Sequence, residues 1–108
     1  MAISAQLVTT SATAVTLPSV TSPSIGNAIT SMMICNYSAY NDTISVYAVP
    51  NGGSVGNTTM IINALPIPAG ETVSLDQEKL VLGTGDSIYV VAGTYPTSMT
   101  IVISTLPV

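Results

Sequence analysis

Glu71 and Asp86 occupy matched settings in this 108-residue chain. In AGETVSL (residues 69–75) and TGDSIYV (residues 84–90) each acid follows a glycine and precedes a hydroxyl residue and two alternating aliphatics. Two carboxylates flanking a glycosidic bond can hydrolyse it, one as acid and the other as base or nucleophile. With Asp76 and Glu78 between them, the same acids could instead surround a hard cation such as calcium, which accepts carboxylate and carbonyl oxygens. Lys79 is the one amine able to form a Schiff base or move a proton, and that role demands burial. The tyrosines Tyr37, Tyr40, Tyr47, Tyr89 and Tyr95 offer rings with a polar tip on which a sugar could stack.

The rest of each apparatus is missing from the sequence. Without histidine, a Ser, Thr or Cys nucleophile lacks its usual base. The acids lack an EF-hand-like spacing, and Gln77 and Glu78 place Lys79 on a solvated turn among carboxylates. The absence of Trp and Phe weakens a sugar-stacking platform. Cys35, the only cysteine, has no disulfide partner within the chain and no histidine with which to build a soft metal site; it reads as a small buried hydrophobe. The glycine-acid steps have a plainer use. Glycine permits a turn conformation closed to most residues, and the acid then opens a strand in solvent. The sequence therefore assigns no catalytic, cofactor-binding or metal-ligating residue, and it predicts a protein that is not an enzyme and carries no cofactor.

Composition narrows the partners. Charged residues are 6% of the chain, against roughly a quarter in ordinary globular domains, so Ser, Thr, Asn and backbone must cover much of the surface. The net charge of -4, with a single basic residue, excludes the phosphate neutralisation on which nucleic-acid binding depends. All six charges lie between Asp42 and Asp86, leaving the first 41 and last 22 residues uncharged. MAISAQLVTT lacks a basic n-region and a long apolar run, and no stretch approaches the roughly 18 apolar residues of a membrane span; synthesis and folding in the cytoplasm, without a membrane partner, is the expectation. Sequons at Asn36, Asn41 and Asn57 then follow from composition alone.

The elements that must position these residues are strands, because Thr, Val and Ile lose side-chain freedom in helices and pack well on pleated sheets. ISAQLVTTSATAVTL reads as one long strand or two short ones, and PSVTSPSIGN (residues 18–27) as an extended crossing loop. ITSMMICNY carries apolar groups on both faces, with Ile29, Met33 and Cys35 opposed to Met32 and Ile34, as in a central strand covered twice. TISVYAV follows across the SAYND turn as its expected antiparallel neighbour, burying Ile44, Val46 and Ala48. TTMIINALPI is a strand that Pro66 and Pro68 end or confine to a sheet edge. After the two glycine-acid strands, GTYPTS reads as a hairpin connection into MTIVIST, where Met99, Ile101 and Ile103 share a face. Seven to eight short strands with Gly/Pro turns predict an all-β fold, an antiparallel two-sheet β-sandwich, jelly-roll-like or immunoglobulin-like. The chain forms one domain overall, with residues 1–27 as N-terminal strands and crossing loop, available for exchange with a neighbour, and residues 28–108 as the sandwich body.

A neutral surface with uncharged terminal regions lacks the devices that keep monomers apart, so the chain suits a large complex and a homo-oligomer. ISVYAVPNGG, IPAGETVSL and LGTGDSIYVVAG, within a likeness covering residues 29–104, resemble short all-β virion structural proteins of tailed bacteriophages, those of cyanophages included. The resemblance implies a non-enzymatic virion subunit made in the host cytoplasm. The first expectation is a capsid decoration or cement protein, bound to the major capsid protein. A tail, neck or baseplate component among other virion proteins, or a carbohydrate-binding module of a tail tip using Tyr40, Tyr47 or Tyr95, is the alternative. A fimbrial or surface-layer subunit would assemble through strands in the same way but ordinarily requires export.

Overall fold

A computed structural model describes residues 2–16, 26–75, 80–83, 85–95 and 99–107. Most of the crossing loop at 18–27, the acidic stretch 76–79 and part of the GTYPTS connection lie outside the described residues. The described chain is all-β, with nine strands: β1 (Ala2–Val8), β2 (Thr13–Ala14), β3 (Gly26–Asn36), β4 (Asp42–Val49), β5 (Met60–Ile67), β6 (Thr72–Leu75), β7 (Leu80–Gly83), β8 (Ser87–Ala92) and β9 (Met99–Pro107). Every pairing is antiparallel.

Two sheets face each other in a body of 45 × 27 × 22 Å. One has the order β1-β9-β3-β6, with β7 also on β3; the other runs β2-β8-β4-β5. β6 pairs with Met32 to Cys35 and β7 with Gly26 to Ile29, so the two lie end to end along the side of β3 that β9 leaves free. Counted as one interrupted strand, they complete the strand order of a jelly roll, in which successive strands alternate between sheets and only β4 and β5 form a hairpin within one sheet. The sandwich is thus jelly-roll rather than immunoglobulin-like. The strand count exceeds seven to eight because the N-terminal segment and the segment containing β6 and β7 are each divided.

The core fills the gap between the sheets. Met99, Ile101 and Ile103 from β9 meet Ile44, Val46, Ile88 and Val90 from the opposite sheet, and all are fully buried. Each such aliphatic side chain stabilises the fold by roughly 1.5–3 kcal/mol. The alternation expected for β4 holds at Ile44 and Val46, with Ala48 partly buried against the same core.

Three sequence expectations are corrected. β3 and β4 are not neighbours: β3 pairs with β9, β6 and β7, and β4 with β8 and β5, because the intervening turn carries the chain from one sheet to the other. The GTYPTS connection likewise joins β8 to β9 across the sandwich and is not a hairpin. β3 is covered on one face only. A bulge between Ile29 and Ser31 shifts its parity, so that Ile29 shares the buried face with Met32 and Ile34 while Met33 is exposed and Cys35 is only partly buried. The N-terminal strands are seated in their own chain, β1 on β9 and β2 on β8.

Candidate interaction surface

Gly70 and Gly85 have φ of 76° and 85°, the left-handed region that favours glycine, so both glycine-acid steps are turns. They lie at opposite ends of the sandwich. Thr72, just past Glu71, pairs with Cys35, and Gly83, just before Asp86, pairs with Gly26. Those ends of β3 are about 30 Å apart at roughly 3.3 Å per residue. One glycosidic bond or one cation cannot touch both acids. Glu71 is exposed, whereas Asp86 closes its own turn: Oδ2 accepts the Gly83 N–H at 2.9 Å and Oδ1 the Asn51 N–H at 2.9 Å. Those donors, Gly83 first and Asn51 second, hold the Asp86 carboxyl below its ordinary value. Asp76, Glu78 and Lys79 lie outside the described residues. Among the described residues no three His, Cys, Asp or Glu side chains gather in a way that could hold a metal ion.

The most heavily bonded polar groups lie on either side of the turn between β3 and β4. Asn36 is fully buried; its Nδ2 donates to the carbonyls of Tyr40 (2.8 Å) and Ile67 (2.9 Å), and its Oδ1 accepts the Ser38 N–H (3.1 Å) and hydroxyl (2.7 Å). Such burial also closes its sequon in the folded chain. Asp42 is 5% exposed. Its Oδ1 accepts the N–H groups of Thr43 (2.8 Å) and Thr94 (2.9 Å), and its Oδ2 that of Tyr95 (2.9 Å). These donors are all backbone groups, so the carboxylate is a clip that fastens the segment after β8 to the start of β4. The segment it fastens carries Tyr95, which stacks on Tyr40 with ring centroids 4.9 Å apart and planes at 23°. Both rings are exposed. Tyr47 and Tyr89 are separate from this stack, directly opposite each other on the outer face of the four-stranded sheet. Sequence reasoning treated the segment around Asn36 and Asp42 as a turn and missed both clips. The signal was present in the Asn and Asp flanking the turn, residues that bond nearby backbone.

Among the described residues, neither of two cavities is lined by catalytic equipment. One of about 290 Å³ between the sheet edges is lined by Met32, Ile61, Ile62, Leu75 and Leu80, all apolar. Another of about 240 Å³ includes one titratable group, Asp86, already bonded to backbone.

The outer face of the five-stranded sheet is the feature of the molecule that ordinary folding does not explain. None of its strands contains a charged residue. Ile3, Leu7, Met33, Val81 and Leu106 all point outward from it and are at least 44% exposed. Registers place Ala5, Val102, Met33 and Ser74 in one cross-strand row and Leu106, Ala28 and Val81 in another, so the apolar groups are spread across the sheet. β1 is inverted relative to ordinary amphipathic practice. Its Ile3, Ala5 and Leu7 face solvent, while Ser4 and Gln6 are partly buried and Val8 is fully so. Gln6 is held inward by two bonds, Nε2 to the Ala14 carbonyl (2.9 Å) and the Thr16 N–H to Oε1 (3.2 Å). A one-residue slip would bury Ile3 and Leu7 instead, so the pairing with β9 and the Gln6 bonds maintain an apolar exterior. Comparison with protein-family models, curated proteins and solved structures finds no match to this chain.

Proposed function

We propose that this protein is a non-enzymatic structural subunit that docks by the outer face of its five-stranded sheet on neighbouring proteins of a large assembly. The observation that carries this reading is the inverted β1 within a charge-free sheet face. Contiguous exposed apolar surface without interspersed charge marks an interaction site, and covering each half-exposed side chain stabilises the contact by about 1 kcal/mol. The resemblance to tailed-phage virion proteins supplies the setting. In that setting the subunit is a capsid decoration or cement protein, with a tail, neck or baseplate position as the alternative.

The test is electron microscopy of the native assembly, recovered through a tag on this chain, together with incorporation of Met33→Lys. The reading expects Met33 and Val81 to lie against a neighbouring protein and the lysine variant, folded as wild type, to lose at least about tenfold in occupancy because its charge would be buried unpaired. A native assembly in which this face is open to solvent overturns it. The Tyr40–Tyr95 stack favours a second reading, a carbohydrate-binding module, since two exposed rings already fixed by the Asp42 clip present flat apolar area with hydroxyl tips. Binding on a glycan array that disappears in Tyr40→Ala and Tyr95→Ala would select it.

A further inference from the structure

The sheets present four sides on which a further strand could pair, and three are blunted. β2 is two residues long. β5 carries Pro66 and two register irregularities, one with Ala64 at φ 50° and its N–H turned onto the Ser45 hydroxyl. The side formed by β6 and β7 is divided into two four-residue pieces. These are the devices by which proteins protect sheet edges: short strands, proline and bulges. β1 has none of them. It is seven residues long, without proline, glycine or charge, in unbroken register with β9, and among the described residues no strand lies on its other side.

We infer that the β1 edge pairs antiparallel with β1 of a second copy of this chain about a two-fold axis through Ala5, joining two five-stranded sheets into one. An unpaired strand edge calls for another strand, and this one fits itself. Centred on Ala5, all seven residues are matched: Ala2 with Val8, Ile3 with Leu7, Ser4 with Gln6 and Ala5 with its counterpart. The matching keeps outward residues opposite outward ones, so the inverted face of one copy continues into that of the other. Ile3 and Leu7, exposed in the single chain, then form cross-strand apolar pairs, which stabilise antiparallel ladders. A two-fold sets β1 and its surroundings against themselves, and that is tolerable here because no strand of the sheet carries a charge. Gln6 keeps its bonds to the Ala14 and Thr16 backbone, since its side chain points inward. The contact is one strand edge about 24 Å long, and a single strand edge buries less area than the roughly 1,200 Å² of stable interfaces, so the dimer is weak and concentration-dependent.

This inference adds a partner at the rim of the docking face and does not require that the face itself be covered. Sedimentation equilibrium of the full chain tests it. Wild type is expected to associate reversibly to a dimer. Ala5→Lys and Ala5→Glu, each at an exposed position that meets its own copy on the axis, are expected to weaken association at least about tenfold by like-charge repulsion, and an equimolar mixture of the two to restore it. Met33→Lys, in the middle of the face, is expected to leave the dimer intact while weakening docking at least about tenfold, so the two readings fail separately. Hydrogen exchange on wild type should show β1 amides becoming more protected as concentration rises, a readout that needs no variant. A wild type that stays monomeric at millimolar concentration, an Ala5→Lys chain that associates normally, or association lost in Met33→Lys but kept in Ala5→Lys overturns the inference.

Discussion

Asp42 illustrates how few polar groups do the fastening in a protein with so few charges. Its carboxylate is almost fully buried and accepts the N–H groups of Thr43, Thr94 and Tyr95, and hydrogen bonds to a charged acceptor are worth about twice those between neutral groups. Asp42→Ala removes one acceptor and strands the donors of Thr43, Thr94 and Tyr95; a loss of about 2–4 kcal/mol is expected from urea unfolding. Asp42→Asn should fall between, because one amide oxygen remains but an NH₂ now opposes a backbone donor. Asp86 makes a milder clip at the opposite end. Its folded carboxyl titrates below the unfolded one, so its contribution is present above the unfolded value near 3.8 and is lost as pH falls through the folded one. Asp86→Asn should therefore melt slightly below wild type at pH 7, and the gap should narrow as pH falls below about 4 and the wild-type carboxyl becomes protonated in the folded state too. A gap that persists unchanged at pH 2 in thermal melts would assign the effect to side-chain shape and not to charge.

At the scale of the element, the glycine turns can be separated by what surrounds them. Gly70→Ala meets open space and suffers only the left-handed backbone, about 1–2 kcal/mol. Gly85→Ala has the same backbone problem, and its Cβ would also lie within 2.9 Å of the Asn51 side chain, next to the Asn51 N–H that Asp86 accepts. Paired denaturation curves should show the second variant losing more than the first. These turns were legible because glycine before an acid and an alternating run has one local meaning. β9 was legible for a similar reason: Met99, Ile101 and Ile103 alternate without interruption and are all buried. What the sequence concealed is non-local. The connections after β3 and β8 contain ordinary turn residues, and nothing in that chemistry states whether the next strand pairs in the same sheet or crosses to the other. Inside β3, one extra residue at the bulge moved Ile29 to the face of Met32, a parity change that alternation alone cannot show. The inward Gln6 was hidden too, because its backbone partners, Ala14 and Thr16, belong to a segment on the opposite sheet.

For the whole molecule, the jelly-roll order ties the beginning of the chain to its end. β1 pairs with β9 over seven registered residues, and Val8 enters the core opposite Met99. The next strand, β2, closes the opposite sheet on β8, and Val15 beyond it is also buried. Such contacts join residues far apart in sequence, which makes folding slow and leaves β9 as an unprotected, strongly apolar strand until β1 arrives. Trimming the N-terminus is therefore a poor way to ask whether the segment engages a neighbour, because it also dismantles the chain's own sandwich. Removing residues 1–8 deletes the Val8 burial and the entire β1–β9 ladder. Marginal domains hold only about 5–15 kcal/mol in reserve, and losing one edge strand of the core sheet should use most of it. The expected outcome is a chain that is mostly insoluble on expression and that, when refolded, lacks a cooperative thermal transition. Supplying the peptide AISAQLV during refolding should raise the soluble fraction by filling the vacant place on β9. A truncated chain that melts cooperatively near the wild-type temperature would instead mean that β9 tolerates an open edge and that residues 1–8 are free to serve a neighbour.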